Sequence, residues 1–254
     1  MDVERFLLAV DQSTFVFLFL TIALIAFLYS SVGHAGASGY IATMALFGLA
    51  PNVIRPTALV LNILVASLGA FQFWRAGHFK WQLFWPFALL AIPGAFLGGY
   101  LQMPMSILRV IIGIVLLFSA ARLFVRRKDP DDVHAPPMPV ALGLGGAIGF
   151  LSGLTGTGGG IFLTPLLLFA HWAKTKQASA VSALFILVNS ISGLTGFVRA
   201  KQSIPSLAYS LALAALLGGA IGSYLGSRRF PVRAIAVLLA TVLVIAGAKL
   251  ILTR

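Results

Sequence analysis

The sequence predicts an all-α polytopic membrane protein, and three observations carry that prediction. Of 254 residues, 59% are hydrophobic and only 9% charged, whereas a soluble domain carries about 25% charged residues. Apolar runs recur along the whole chain, most of them close to the roughly twenty residues that a helix needs to cross a bilayer. Two pairs of short runs lie around glycine-rich stretches, Gly33–Gly39 and Gly153–Gly160, each set inside apolar sequence.

In order, the runs cover 15–32, 36–50, 56–74, 83–101, 106–125, 139–154, 157–172, 178–198, 206–225 and 231–252. The first begins near Phe15 without a small-residue cleavage site and reads as a retained segment. Residues 126–138 hold the one clearly polar stretch, RRKDPDDVHAPP, whose charges and prolines mark a solvated linker. The chain therefore divides into a first membrane repeat (1–125), the linker (126–138) and a second membrane repeat (139–254).

The halves resemble each other. GHAGASGYI (33–41) aligns with GLTGTGGGI (153–161) at an offset of 120. In that alignment His34, Ser38 and Tyr40 stand where the second half has Leu154, Gly158 and Gly160. PGAFLGGYL (93–101) then matches LGGAIGSYL (217–225), and LRVII (108–112) matches VRAIA (232–236), both at an offset of 124. A few inserted residues would reconcile the two offsets. Asn62 and Asn189 lie in the third run of each half. Secondary carriers are commonly built from such duplications. Lys and Arg divide between the two sides in the same ratio whether the repeats are parallel or inverted. The short paired segments favour inversion, with a broken or re-entrant helix hairpin in each half.

Composition also excludes chemistry. There is no cysteine, so no thiolate metal site or disulfide. The six acids, Asp2, Glu4, Asp11, Asp129, Asp131 and Asp132, all fall outside the apolar runs, which removes a buried-carboxylate proton relay and disfavours a carboxylate cation site. The four histidines are far apart, with no H-x-x-x-H spacing, and there is no G-x-S-x-G elbow, phosphate-binding G-K-[ST] or dinucleotide fingerprint. No enzyme, metal or cofactor is expected. The net charge of +12 is placed in short loops, as positive-inside topology signals, and would also favour anionic substrates; nucleic acid is not indicated.

Irregular backbone survives in a membrane only inside protein or against a polar cavity. The spaced glycines Gly94, Gly98, Gly99, Gly218, Gly219, Gly222 and Gly226 are read as close helix packing. Consecutive glycines need another explanation. A helix restarting after Gly160 would aim its free N–H groups into the break, and such an N-terminus favours an anion; a purely structural turn is the alternative. The candidate substrate-binding residues are Gly33, His34, Gly36, Ser38, Gly39, Asn62, Thr155, Gly156, Thr157, Gly158, Gly159, Gly160 and Asn189, with Thr57 and Ser182 weaker ones. His34, the ionisable group set between two apolar runs, is the proton-coupling candidate, against a neutral hydrogen-bonded turn histidine. Gln72, Arg75 and Arg199 could form an electropositive vestibule, although snorkelling anchors are the more usual role for such arginines.

With GLTGTGGGIFLTPLLL including Pro165, the third runs ALVLNILVASL and ALFILVNSISG, and RAGHFKW (75–81) before a Pro-Gly span, the chain resembles the TauE/SafE family of sulfite and organosulfonate exporters over nearly its whole length. That resemblance implies a secondary carrier of the cytoplasmic (inner) membrane, moving a small inorganic or organic sulfur oxyanion by alternating access, with protons as coupling ion. It leaves the oligomeric state open. A passive anion channel, or a membrane scaffold docking another protein through its glycine faces, are the alternatives.

Overall fold

The computed structural model describes residues 12–101, 117, 121, 129 and 132–252. The fifth apolar run but for two residues, its 108–112 match, part of the polar linker, and Asp2, Glu4, Asp11 and Asp131 lie outside the described residues. Among the described residues the elements are helical: α1 (Gln12–Ser31), α2 (Ala37–Leu46), α3 (Pro51–Arg75), α4 (Trp81–Tyr100), α5 (Met138–Thr155), α6 (Gly160–Phe169), α7 (Thr175–Arg199), α8 (Leu207–Tyr224), continued by a π-helical turn (Leu225–Arg229), and α9 (Val232–Leu252). Six of them, α1, α3, α4, α5, α7 and α8, are long and apolar enough to cross a membrane. The helices show lipid-like side chains outward: Phe17, Leu20, Trp74, Trp81, Leu97, Tyr209, Leu213 and Ile221 are all more than half exposed.

Lengths repeat in order. α2 and α6 have 10 residues each, and α3 and α7 have 25 each. The two glycine stretches share two left-handed positions, and the second adds a third at Gly158 (φ +76°) where the first has Ala35. Gly33 and Gly36 have φ +80° and +108°, and Gly156 and Gly159 have φ +76° and +82°. Gly36 and Gly159 each cap the short helix that follows, in a left-handed conformation that costs a side-chain-bearing residue about 1–2 kcal/mol. This pairing sets the offset at 123 and corrects the sequence alignment by one helical turn. His34 corresponds to Thr157, Ser38 to Ile161 and Tyr40 to Leu163. One residue then separates this offset from the 124 of the later matches.

The first short helix packs back on its predecessor, whereas the second packs along α7 and meets α5 only at its start. Gly39 of α2 packs against Ile25 and Tyr29 of α1, and Gly159 at the start of α6 packs against Ile148 and Ser152 of α5. The long helices then reveal their directions. Arg55 meets the Phe197 ring, Asn62 meets Ser190, and Gly69 meets Ala183. Two turns forward on α3 are two turns back on α7, so these two helices form an antiparallel seam through the molecule. By contrast α4 runs parallel to α5: the backbones of Gly145, Gly149 and Gly153 press on Phe87, Ala91 and Ala95. Likewise Gly218, Gly222 and Gly226, in α8 and the π turn after it, press on Ala23, Phe27 and Ser31 of α1. A Cβ at any of these glycines would overlap a neighbouring backbone, so here the spaced glycines set helix separation. α4 thus lies on α5 and α7, and α8 on α1 and α3; each half builds its walls from the other.

Asp129 in the linker caps α7, accepting from the Thr175 N–H (2.9 Å) and hydroxyl, a carboxylate at the positive end of a helix.

Candidate functional site

The two breaks meet. The first brings His34 beside Gly160, the opening residue of α6. His34 Nε2 lies 2.8 Å from Thr164 Oγ1, and Thr164 donates its single hydroxyl proton to Ser182 Oγ at 2.7 Å. Thr164 therefore accepts from His34, which assigns the proton of the neutral ring to Nε2 and leaves Nδ1 as a buried lone pair with no partner.

The second break rises along α3. Gly156 lies against Arg55, and Gly158, two residues on, against Asn62, Ser190 and Ile186. No backbone or side-chain acceptor among the described residues meets the N–H groups of Gly158, Gly159, Gly160 or Ile161. These are the free donors of the α6 N-terminus. Around them the polar side chains are buried and under-satisfied. Asn62 is fully buried, its Nδ2 reaching Ser190 Oγ at 3.4 Å and its Oδ1 unpartnered. Asn189 is fully buried with neither amide atom bonded. Ser182, Phe185 and Ile186 share one face of α7 with Asn189, and they contact Thr164, Gly159 and Gly160 respectively. That face is turned to the start of α6. The antiparallel seam also sets Asn189 next to Ser190, hence at the height of Asn62. Ser152 and Ser179 bury hydroxyls without partners on either side.

Leaving a buried amide unpaired costs about 1–3 kcal/mol in proteins. Concentrating several such groups around a helix N-terminus makes a neutral polar cluster rich in donors, with a few acceptors.

The remaining predicted residues spread around this centre. Gly33 packs on the Ser179 backbone, and Gly36 on the Tyr40 ring. Ser38 pairs with Tyr29 Oη at 2.9 Å and Tyr40 Oη donates to Ala35 O at 2.6 Å, so the first break is filled by its own side chains. Thr155 and Thr157 are half-buried and bonded to each other at 2.8 Å. Thr57 is satisfied within its own helix by Val53 O at 2.7 Å. Gln72 donates to Ala220 O at 3.2 Å, while Arg75 and Arg199 are exposed in the last turns of α3 and α7, Arg75 over the Phe71 ring at 6.0 Å. Asn62 and Asn189 are not equivalent. α3 and α7 begin and end at an offset of 124, which places Ile186 opposite Asn62 and Val65 opposite Asn189.

Sequence reasoning missed Arg55, Thr164 and Ser190. Arg55 sits between two apolar runs, before Pro56, and reads as a loop cation; only the continuous α3 carries it inward. Thr164 is one turn past Gly160 and Ser190 one residue past Asn189, so helical spacing from the singled-out residues would have found both.

Six helices long and apolar enough to cross a membrane, with two short helices meeting at a buried polar centre between antiparallel long ones, define a polytopic membrane protein. Comparison agrees: the sequence profile of the family described as "Sulfite exporter TauE/SafE" matches residues 18–250, and the chain belongs to that family. Relatives include the "Probable membrane transporter protein y4hK" of Sinorhizobium fredii, 39% identical over 232 residues, covering 89% of this chain and 94% of that protein. YjnA of Bacillus subtilis, with the same descriptive name, is 27% identical over 241 residues, covering 86% and 92%. A relative in Haemophilus influenzae is 28% identical over 236 residues, covering 85% and 87%. No solved structure matches.

Proposed function

We propose that this transporter is a secondary carrier of a small sulfur oxyanion, sulfite or an organosulfonate, working by alternating access of two inverted repeats. The anion is held between the α6 N–H groups and the side chains of Asn62, Asn189 and Ser190, with His34 beside it. One observation carries the reading: Asn189, fully buried and unpartnered, on the helix face turned to those free N–H groups. A donor-rich neutral pocket suits an oxyanion whose oxygens accept from several directions, and the family's description supplies the sulfur chemistry. Inversion is supported by the antiparallel pairing of α3 with α7, the two 25-residue helices; repeats of this kind exchange access by rocking about a central site. His34, with an open Nδ1 at the pocket, is the group that would carry a coupled proton.

Purified protein in proteoliposomes tests this. Sulfite or a short alkanesulfonate should move and show counterflow, which a channel would not. Absence of flux for sulfite, sulfonates and sulfate alike overturns the assignment. His34→Gln should keep counterflow and lose proton-driven accumulation; unchanged accumulation removes His34 from coupling.

A further inference from the structure

The polar residues along the α3–α7 seam form a track across the molecule. It starts with half-buried Arg55 and Thr157, passes Asn62 and Ser190, continues through Ser182 and Ser179, and reaches half-buried Lys176 and His78 at the other end. The two ends are closed by unlike groups.

Where α3 begins, the closing group is Arg55. Its Nη2 donates to Gly98 O (2.7 Å), Gly99 O (3.0 Å) and Gly153 O, and Nη1 to Leu101 O (3.4 Å). The guanidinium also lies 5.6 Å from the Phe197 ring centre. One side chain therefore gathers the C-terminal ends of α4, α5 and α7 onto the start of α3. Those C-terminal carbonyls are the negative poles of their helices, and a planar five-donor fork can bind several at once. The stem of Arg55 touches Gly156, two residues before the glycine that faces Asn62. At the equivalent place on α7 stands Ser179, a position with no such reach.

Where α3 ends, the contact is slighter. The Ser227 carbonyl, in the π-helical turn, accepts from His78 Nε2 at 3.0 Å and from Lys176 Nζ at 3.4 Å. This joins the end of α3, the start of α7 and the end of α8.

We propose that Arg55 is a positioning residue that latches the transport path shut on the face where α3 begins, and that the His78–Lys176–Ser227 contact is the weaker counter-latch on the opposite face. This rests on the alternating-access reading above. In a two-state carrier, removing one latch opens that face at the expense of the other.

The chain has no cysteine, so single reporters can be introduced cleanly. Thr157→Cys reports the Arg55 end and Ser179→Cys the other, each labelled by a membrane-impermeant maleimide from either side of oriented vesicles. Adding Arg55→Gln should speed labelling at the first reporter about tenfold or more, the size expected from losing charge-assisted hydrogen bonds, and should slow it at the second. A merely structural arginine would instead speed both, and that result, or no change at either, overturns the proposal. Arg55→Lys, which keeps the charge but not the fork, should shift both rates in the same directions by less. Lys176→Gln should shift them in reverse. If Arg55→Gln does not accumulate in the membrane, this last pair decides: opposite shifts support the latch, and like shifts or none refute it. Flux is read separately. Expected labelling shifts without flux of any tested anion would overturn the carrier reading and leave the latch standing, whereas flux without labelling shifts would do the opposite.

Discussion

The two glycine breaks share two left-handed glycine positions and differ in what surrounds them. In the first, Tyr40 and Tyr29 supply hydroxyls that close on Ala35 O and Ser38, while His34 reaches out of the break to Thr164. In the second, three consecutive glycines contribute no side chains, and the surroundings come from elsewhere: Asn62 and His34 from the first half, Ser152, Phe185, Ile186 and Ser190 from the second. The capping glycines recur while the chemistry does not, because backbone geometry depends on a few glycines whereas binding depends on the side chains brought against them.

This contrast can be broken most severely at Gly158. A side chain there would overlap Ile186, Asn62 and Ser190 at a φ of +76°. Gly158→Leu is expected to reduce anion flux to under roughly a hundredth of wild type, the combined cost of a filled site and left-handed strain of about 1–2 kcal/mol. Retained flux would show that the second break is a hinge only.

Next in size is Asn189→Leu, a swap of similar shape. It should lower flux about tenfold or more while raising the thermal stability of the ligand-free protein in detergent, since it removes an unpaired amide that costs about 1–3 kcal/mol. A loss of stability together with flux would mean that the amide serves the fold.

The first break should give the inverse pattern. Tyr40→Phe strips the donor from the Ala35 carbonyl and is expected to destabilise the protein by about 1 kcal/mol, with counterflow nearly unchanged. Flux falling further than stability would place the first break in the binding site too.

The smallest expected effect concerns pH at the far end of the path. Burial holds His78 below its ordinary imidazole value, and Lys176 adds to the depression, against the Ser227 carbonyl that favours the charged form. The folded state then binds fewer protons than the unfolded one just below pH 6.5. The stability contributed by the buried neutral ring is therefore fully present above that value and is lost as pH falls from it through the lower folded-state value. His78→Gln should flatten that slope in thermal unfolding measured between neutral and mildly acidic pH; an unchanged slope would assign it to another group.

Much of this organisation was legible in the sequence. Glycine and proline punctuation located both breaks, because only glycine adopts the left-handed conformation without penalty, and run length located the spanning helices. The central residues Asn62, Asn189 and His34 stood out because polar groups are rare in lipid-facing sequence. The register of the two breaks did not stand out. GHAGASGYI and GLTGTGGGI align best by identity at 120, but the capping glycines superpose at 123, since conformation follows the αL positions and ignores the letters between them. Arg55 was hidden for a related reason: in a list of apolar runs it is a loop cation, and only the helix directions bring four carbonyls around it.

The sequence by itself determined that this chain is a helical membrane protein, with two interrupted helices and a buried neutral polar set in place of carboxylates. Those properties follow from composition and local geometry, which each segment carries alone. The tertiary structure decided that α3 and α7 run antiparallel, that the two breaks meet at one centre with His34 against Gly160, and that the second break faces the orphaned amides. Such contacts join residues more than a hundred positions apart. They depend on how closely helix backbones can approach at their glycines, a quantity that exists only once both partners are in place.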